Sequence, residues 1–204
     1  MYIKLIMNRF LLFATFFILC SCNGGVSPLA YMEAVNDAKS GLIKNISIGN
    51  FKVDIEYKTH EFMVINEMIK TEEGFSEDVF KSSMADQRKL ETFFIRFNGN
   101  SETDFLKQDL SDKNQYYERL NYFNGIVQED LSLIDGKDTL PCTYTYFERN
   151  YGVGQKSTLI VGFEKTNQNK SNMKLIFNER ALGIGSQEFV LLKSTQDNLP
   201  QIIF

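Results

Sequence analysis

Gly49-Asn50-Phe51-Lys52-Val53-Asp54-Ile55-Glu56-Tyr57-Lys58 is the stretch that decides the fold class. Phe51, Val53, Ile55 and Tyr57 alternate with Lys52, Asp54, Glu56 and Lys58. A period of two sends the apolar set to one face of a β-strand and the charged set to the other, so one face meets a core and one meets water. Just upstream, Ile46 and Ile48 alternate with Asn45 and Ser47. Gly49-Asn50 separates the two runs as a two-residue hairpin turn does.

The same period returns along the chain. Between Glu91 and Asn98, Phe93, Ile95 and Phe97 alternate with Phe94 and Arg96. Leu131 and Leu133 lead into Asp135-Gly136-Lys137-Asp138, a turn signal. Leu140, Cys142, Tyr144 and Tyr146 alternate with Thr139, Thr143, Thr145 and Phe147, which reads as one long strand of high β propensity. Ser157 to Glu164, Met173 to Asn178 and Glu188 to Lys193 complete about eight strands. Asn167 to Asn172 is a polar hairpin loop, and Gly183-Ile184-Gly185 is a turn.

From about 59 to 125 the pattern is mostly helical. Phe62, Ile65, Met68 and Ile69 cluster at helical spacing, and Ser76 precedes Glu77 and Asp78 as an N-cap precedes acids in a first turn. Ser101-Glu102-Thr103-Asp104 resembles a capping box. Leu106, Leu110, Tyr116, Tyr117, Leu120 and Phe123 continue an amphipathic pattern with a break at Ser111. Tyr31 to Lys39 forms a brief helical turn. The expectation is an α+β chain: a mostly antiparallel β-sandwich with a helical insertion. Phe163-Glu164 ahead of a polar hairpin resembles the close of immunoglobulin-like lipoprotein domains, a likeness over about forty residues that implies a sandwich of that kind.

The amino terminus carries a different signal. Lys4 and Arg9 precede an apolar run from Phe10 to Leu19, too short for a membrane span of about 20 residues. Met7-Asn8-Arg9 offers a second start. Leu19-Cys20-Ser21-Cys22 resembles the lipobox of bacterial lipoproteins, with Leu19 at the leucine position, Ser21 at the small position and Cys22 at the modified cysteine. Cys20 as the modified residue lacks a small neighbour at the cut. A plain secretory signal and an uncleaved anchor are the rival readings. The resemblance implies a signal peptide at 1–21, a lipidated tether at 22–30 and one globular domain at 31–204. It also implies acylation of Cys22, where more than one chain gives stable anchoring. The composition, rich in Asn, Lys and Ile, and the Leu-x-Ser-Cys ending resemble lipoproteins of Bacteroidota. Many of those exported to the cell surface carry acids after the cysteine. Asn23-Gly24-Gly25 does not, which implies an outer-membrane location facing the periplasm.

Charge and cysteine content bound the chemistry. Residues 1–21 hold two basic residues and no acid, so the 183 residues beyond them carry 20 basic and 26 acidic residues. That balance argues against nucleic acid and against a polybasic membrane patch. With Cys22 acylated, Cys142 stands alone and no intramolecular disulfide forms. One histidine, His60, and one free cysteine do not make a zinc site. Asp135-Gly136-Lys137-Asp138 lacks the ligand spacing of a calcium loop and reads as a tight turn. Gly183-Ile184-Gly185-Ser186 is not a nucleophile elbow. Gly152-Val153-Gly154 is not a phosphate loop. Glu72-Glu73, Glu77-Asp78 and Glu129-Asp130 sit where acids are expected on loops and helix starts.

No catalytic set, cofactor site or metal site follows from these residues. Two smaller signals stand beside Cys22. Asp138-Thr139-Leu140 resembles a short O-glycosylation acceptor motif, with Thr139 as the acceptor. Tyr144, Tyr146, Phe147 and Tyr151 form an aromatic string that serves either as half of a binding face or as one buried and one exposed row. The expected role is a lipid-anchored, non-enzymatic module that binds or scaffolds a protein in the envelope. The alternatives are an immunity or inhibitor lipoprotein with a compact acidic patch, and an envelope hydrolase with two close carboxylates or with Cys142 beside a base.

Overall fold

The computed structural model describes residues 25–71, 74–98, 104–149, 156–165 and 171–204. Leu19-Cys20-Ser21-Cys22, Ser101-Glu102-Thr103, Tyr151, the run Gly152-Val153-Gly154 and most of the 167–172 loop lie outside the described residues.

Among the described residues the chain forms nine strands and five α-helices. The strands are β1 (Ile43–Ile48), β2 (Phe51–Lys58), β3 (Leu90–Asn98), β4 (Leu131–Asp135), β5 (Asp138–Pro141), β6 (Tyr144–Glu148), β7 (Lys156–Glu164), β8 (Met173–Glu179) and β9 (Gly185–Leu191). The helices are α1 (Pro28–Asn36), α2 (His60–Lys70), α3 (Glu77–Gln87), α4 (Lys113–Asn124) and α5 (Lys193–Asp197). A five-stranded sheet runs β1-β2-β3-β7-β6 and a four-stranded sheet runs β5-β4-β8-β9. Every pairing is antiparallel. The fold is an α+β sandwich.

The apolar set of the opening stretch turns inward as its period dictates, whereas Glu56 and Lys58 at its far end are buried on the other face and paired with each other instead of meeting water. Ile48 pairs with Phe51 across Gly49-Asn50, and Gly49 takes a φ of +57°, the left-handed conformation such a turn requires. Val53, Ile55 and Tyr57 of β2 face inward with Phe93, Ile95 and Phe97 of β3 and Leu159, Val161 and Phe163 of β7. The four-stranded sheet answers with Leu131, Leu133, Met173, Leu175, Phe177, Phe189 and Leu191. Phe93 sits at the centre. Its ring lies 5.3 Å from Tyr57 and 6.0 Å, edge-on, from Phe163 and from Phe189 of the facing sheet. The far end is closed by rings from outside the strands: Phe105 stacks on Phe97 at 4.8 Å, and Phe123 of α4 meets both.

Four details differ from the sequence reading. The helical block is two insertions, because β3 runs through it: α2 and α3 join β2 to β3, and α4 lies between β3 and β4. Asp104 caps only the short 3-10 turn Phe105–Lys107; α4 begins later, capped by Asp112 accepting from the backbone of Asn114 and Gln115. The break between them contains Asp109, whose φ of 52° no continuing helix allows. The run from Thr139 to Phe147 is two strands, not one. Pro141 ends β5 in the four-stranded sheet, and the chain crosses at Cys142-Thr143 to start β6 in the other, so the period persists while the sheet changes. Finally, the folded body begins within the stretch read as tether. Ser27 caps α1 at Pro28, and Val26 forms a parallel bridge with Ile202.

If Phe93 is the centre of the core, Phe93→Ala lowers unfolding free energy by about 3–5 kcal/mol in urea titration, because little can collapse into the space left. Tyr117→Ala, on the exposed face of α4, changes it by no more than about 0.5 kcal/mol.

Candidate functional site

The inward rows of three strands end in charge. Tyr57 continues Val53 and Ile55, Glu91 precedes Phe93, Lys165 follows Phe163, and Asp135 follows Leu133, each two residues along its strand. The period of two therefore carries one phenol, two carboxylates and one ammonium into the same end of the sandwich. Lys165 Nζ lies 3.1 Å from Glu91 Oε1 and 3.0 Å from Asp135 Oδ2. The Tyr57 hydroxyl donates to Glu91 Oε2 at 2.7 Å. The Ser171 hydroxyl donates to Asp135.

Helix α2 completes the wall. Thr59 caps it: Oγ1 accepts from the Phe62 backbone N–H at 3.0 Å and from the Tyr31 hydroxyl at 2.9 Å. His60, the first helical residue, places Nε2 3.3 Å from Glu91 Oε2, close but outside the alignment of a hydrogen bond. Tyr57, Thr59, His60, Glu91 and Lys165 line a cavity of about 230 Å³, with Glu61 and the exposed Arg88 also on its wall.

Electrostatics settle the protonation states. Burial pushes the Glu91 carboxyl, 2% exposed, upward. His60, Lys165 and Tyr57 more than reverse that push and leave it at about 2. Burial and the Glu91 charge hold the Tyr57 phenol well above its ordinary value, so it keeps its proton and donates. Burial pulls the Lys165 ammonium down, and Glu91 and Asp135 carry it back above the ordinary lysine value. Glu91, Lys165 and Tyr57 form a paired network in which the carboxylate and the ammonium are ionised and the phenol is not. None of these three groups changes protonation near neutral pH, so none of them is tuned for general acid or base work.

The other expected chemistries are dispersed. Cys142 is buried; its thiol donates to the Tyr144 carbonyl at 3.2 Å, and burial pushes its pKa up, the opposite of an activated thiolate. Glu179 is also buried, accepting from the backbone of Ala181 at 2.6 Å, Leu182 at 2.7 Å and Ile184 at 3.2 Å. Asp130 accepts from Tyr122 and pairs with Arg180. Among the described residues no three His, Cys, Asp or Glu side chains converge as metal ligands. Thr139 lies exposed on β5, an edge strand of the four-stranded sheet.

The aromatic string resolves into two rows. Phe147 turns inward against Phe105 and Phe123. Tyr144 and Tyr146 stand about half exposed on the outer face of β6. Their row continues across the sheet: Tyr146 faces Ile160 on β7, which faces Phe94 on β3, both partly exposed. Among the described residues β6 pairs with β7 on one side and with no strand on the other.

Sequence reasoning missed Glu91, Lys165 and Asp135 as a set. It took Asp135 for a turn residue and Glu91 for a strand start. The available signal was parity, since each lies one step beyond an inward apolar residue.

No protein-family model matches this chain, and no curated protein or solved structure is similar enough to count as a match.

The folded state holds the Glu91 carboxyl at about 2 against an ordinary 4.5, so it binds fewer protons than the unfolded chain. The stability from this group is complete above pH 4.5 and is lost as pH falls towards 2, by about 3 kcal/mol in all. Glu91→Gln removes one partner of the buried ammonium. It lowers stability at pH 7 by about 3 kcal/mol and flattens this acid limb, as measured by urea titration at a series of pH values.

Proposed function

We propose that this chain is an envelope lipoprotein, acylated at Cys22, whose immunoglobulin-like sandwich binds or scaffolds another protein at the membrane without catalysing a reaction. The strand order supports that kind of sandwich. β2-β3-β7-β6 runs in the order A-B-E-D, and β5-β4-β8-β9 in the order C′-C-F-G, with β1 added at one edge. Fold alone does not give function, so the reading needs a surface.

The surface that carries it is β6. An edge strand offers unpaired backbone donors and acceptors, and natural sheets usually blunt such an edge with lysine, proline or a cover. Here the exposed positions are Tyr144 and Tyr146, beside the partly exposed Ile160 and Phe94. Tyrosine supplies large, stiff, amphipathic contact area, which suits a protein partner. An added strand pairing with β6 would bring its own side chains against this row. The paired cluster around Glu91 supports the non-enzymatic half of the reading: its charges are engaged with one another.

Three measurements test the proposal. Radiolabelled palmitate enters the wild-type chain and fails to enter Cys22→Ala. Protease added to intact cells leaves the domain whole if it faces the periplasm. In-cell cross-linking of the full-length chain gives a discrete adduct that Tyr144→Ala/Tyr146→Ala weakens by about tenfold or more, with the melting temperature unchanged. An adduct of undiminished yield in the double variant rules out β6 as the binding surface.

A further inference from the structure

The chain joins its folded body at an apolar end. The Val26 N–H donates to the Gln201 carbonyl at 2.7 Å, and the Ile203 N–H donates to the Val26 carbonyl at 2.9 Å. Gly25 lies directly against this segment. A Cβ at that position would stand 2.6 Å from Ile203 Cγ2 and 2.8 Å from the Gln201 carbonyl oxygen, so only glycine fits there. The side chains around the junction are large, apolar and open to solvent. Leu29, in the first turn of α1, is 54% exposed, Ile203 is 56% exposed and Phe204 is 47% exposed. The Phe204 ring rests 5.0 Å from Phe80 of α3, which extends the apolar surface onto that helix.

Single exposed apolar residues are ordinary on a protein surface. Three at the place where the chain joins the body call for an occupant, and the chain length says which one. Three residue steps separate Cys22 from Gly25, a span of at most about 11 Å. The headgroup layer on each side of a bilayer is itself roughly 5–7 Å thick. Acyl chains on Cys22 therefore hold Leu29, Ile203 and Phe204 at the membrane. Residues 25–36 and 194–204 contain no lysine or arginine and two acids, Glu33 and Asp197, so these segments give anionic headgroups no basic partner; the charges on α3 beside Phe80 are Glu77, Asp78 and Lys81.

We infer that Leu29, Ile203 and Phe204 seat the sandwich in the headgroup–acyl boundary of the bilayer, so the body stands on the membrane by this end. The inference rests on the acylation of Cys22 proposed above. It also sets an orientation. Lys58 and Glu164 end their strands at the seated end, near α1 and α2, while Phe51, Asn98 and Lys156 mark the other end, near α4. The eight residues of β2 place these ends about 25 Å apart. Tyr117, the most exposed of the large apolar side chains on α4, stands at the end away from the lipid.

The chain contains no tryptophan, so one introduced indole reports alone. The full-length acylated chain, carrying Leu29→Trp, Phe204→Trp or Tyr117→Trp, is reconstituted into phosphatidylcholine vesicles with and without lipid brominated near the top of one acyl chain. Leu29→Trp and Phe204→Trp each lose about half or more of their emission to the brominated lipid, and Tyr117→Trp loses little. Two positions guard against one variant failing to fold. If the chain floats with the vesicles and takes up palmitate, yet positions 29 and 204 are quenched no more than position 117, the seating is overturned and the anchor stands. If the chain neither floats nor takes up palmitate, the anchor falls and the seating with it.

Discussion

One buried ammonium joins the two sheets. Lys165 follows β7 in the five-stranded sheet, and its carboxylate partners are Glu91 of β3 in the same sheet and Asp135 of β4 in the facing one. Taking these charges out of water is expensive, and the mutual attraction offsets that expense only when each group is fully partnered. Tyr57, His60 and Ser171 supply much of the remaining partnership. The geometry is unforgiving. A two-residue slip of β3 against β7 would keep every apolar side chain inward and leave the ammonium without Glu91. Hydrophobic alternation sets which face of each strand is buried, and the charge cluster sets which register is native.

The two ends of the sandwich are closed by different means. At the Lys165 end the closure is ionic and hydrogen-bonded, and α2 is fixed there through its Thr59 cap and Tyr31. At the opposite end it is aromatic, with Phe105 and Phe123 over Phe97 and Phe147 on the flank. Arg119 of α4 is buried there, and its guanidinium donates to the carbonyls of Leu106 and Gln108, which ties the helix to the irregular chain before it. Both insertions thus serve as lids on open ends of a β-sandwich. The Tyr144 and Tyr146 side of the five-stranded sheet stays exposed, while Glu56, Lys58 and Thr92 on the same face are buried.

What the sequence made legible follows from periodicity. β2, β3, β7 and β8 could be read because each alternates over at least seven residues and owes its burial to its own side chains. The α+β class followed from counting such runs. The crossing at Cys142-Thr143 was hidden because side-chain parity is unchanged when a strand leaves one sheet for the other. The start of α4 was hidden because Asp104 and Asp112 both look like caps, and the choice depends on Asp109 in a left-handed conformation held against Asn50 across the fold. The charge cluster was hidden because Glu91, Asp135 and Lys165 are far apart in sequence and each looks, alone, like the polar end of a strand. Pairing between sheets is what unites them, and that is tertiary information.

The Val26–Ile202 bridge has a mechanical consequence. A pull arriving along the residues before Val26 meets two backbone hydrogen bonds first. Behind that peg, peeling β1 from β2 would mean undoing six paired positions, with the packed rings beyond them. Openings that break few bonds happen at the lowest free energy. Tension is therefore relieved by unpegging a few residues, which lengthens the leash and leaves the two sheets intact. The joint works as a resettable fuse between whatever holds the front of the chain and the body behind it.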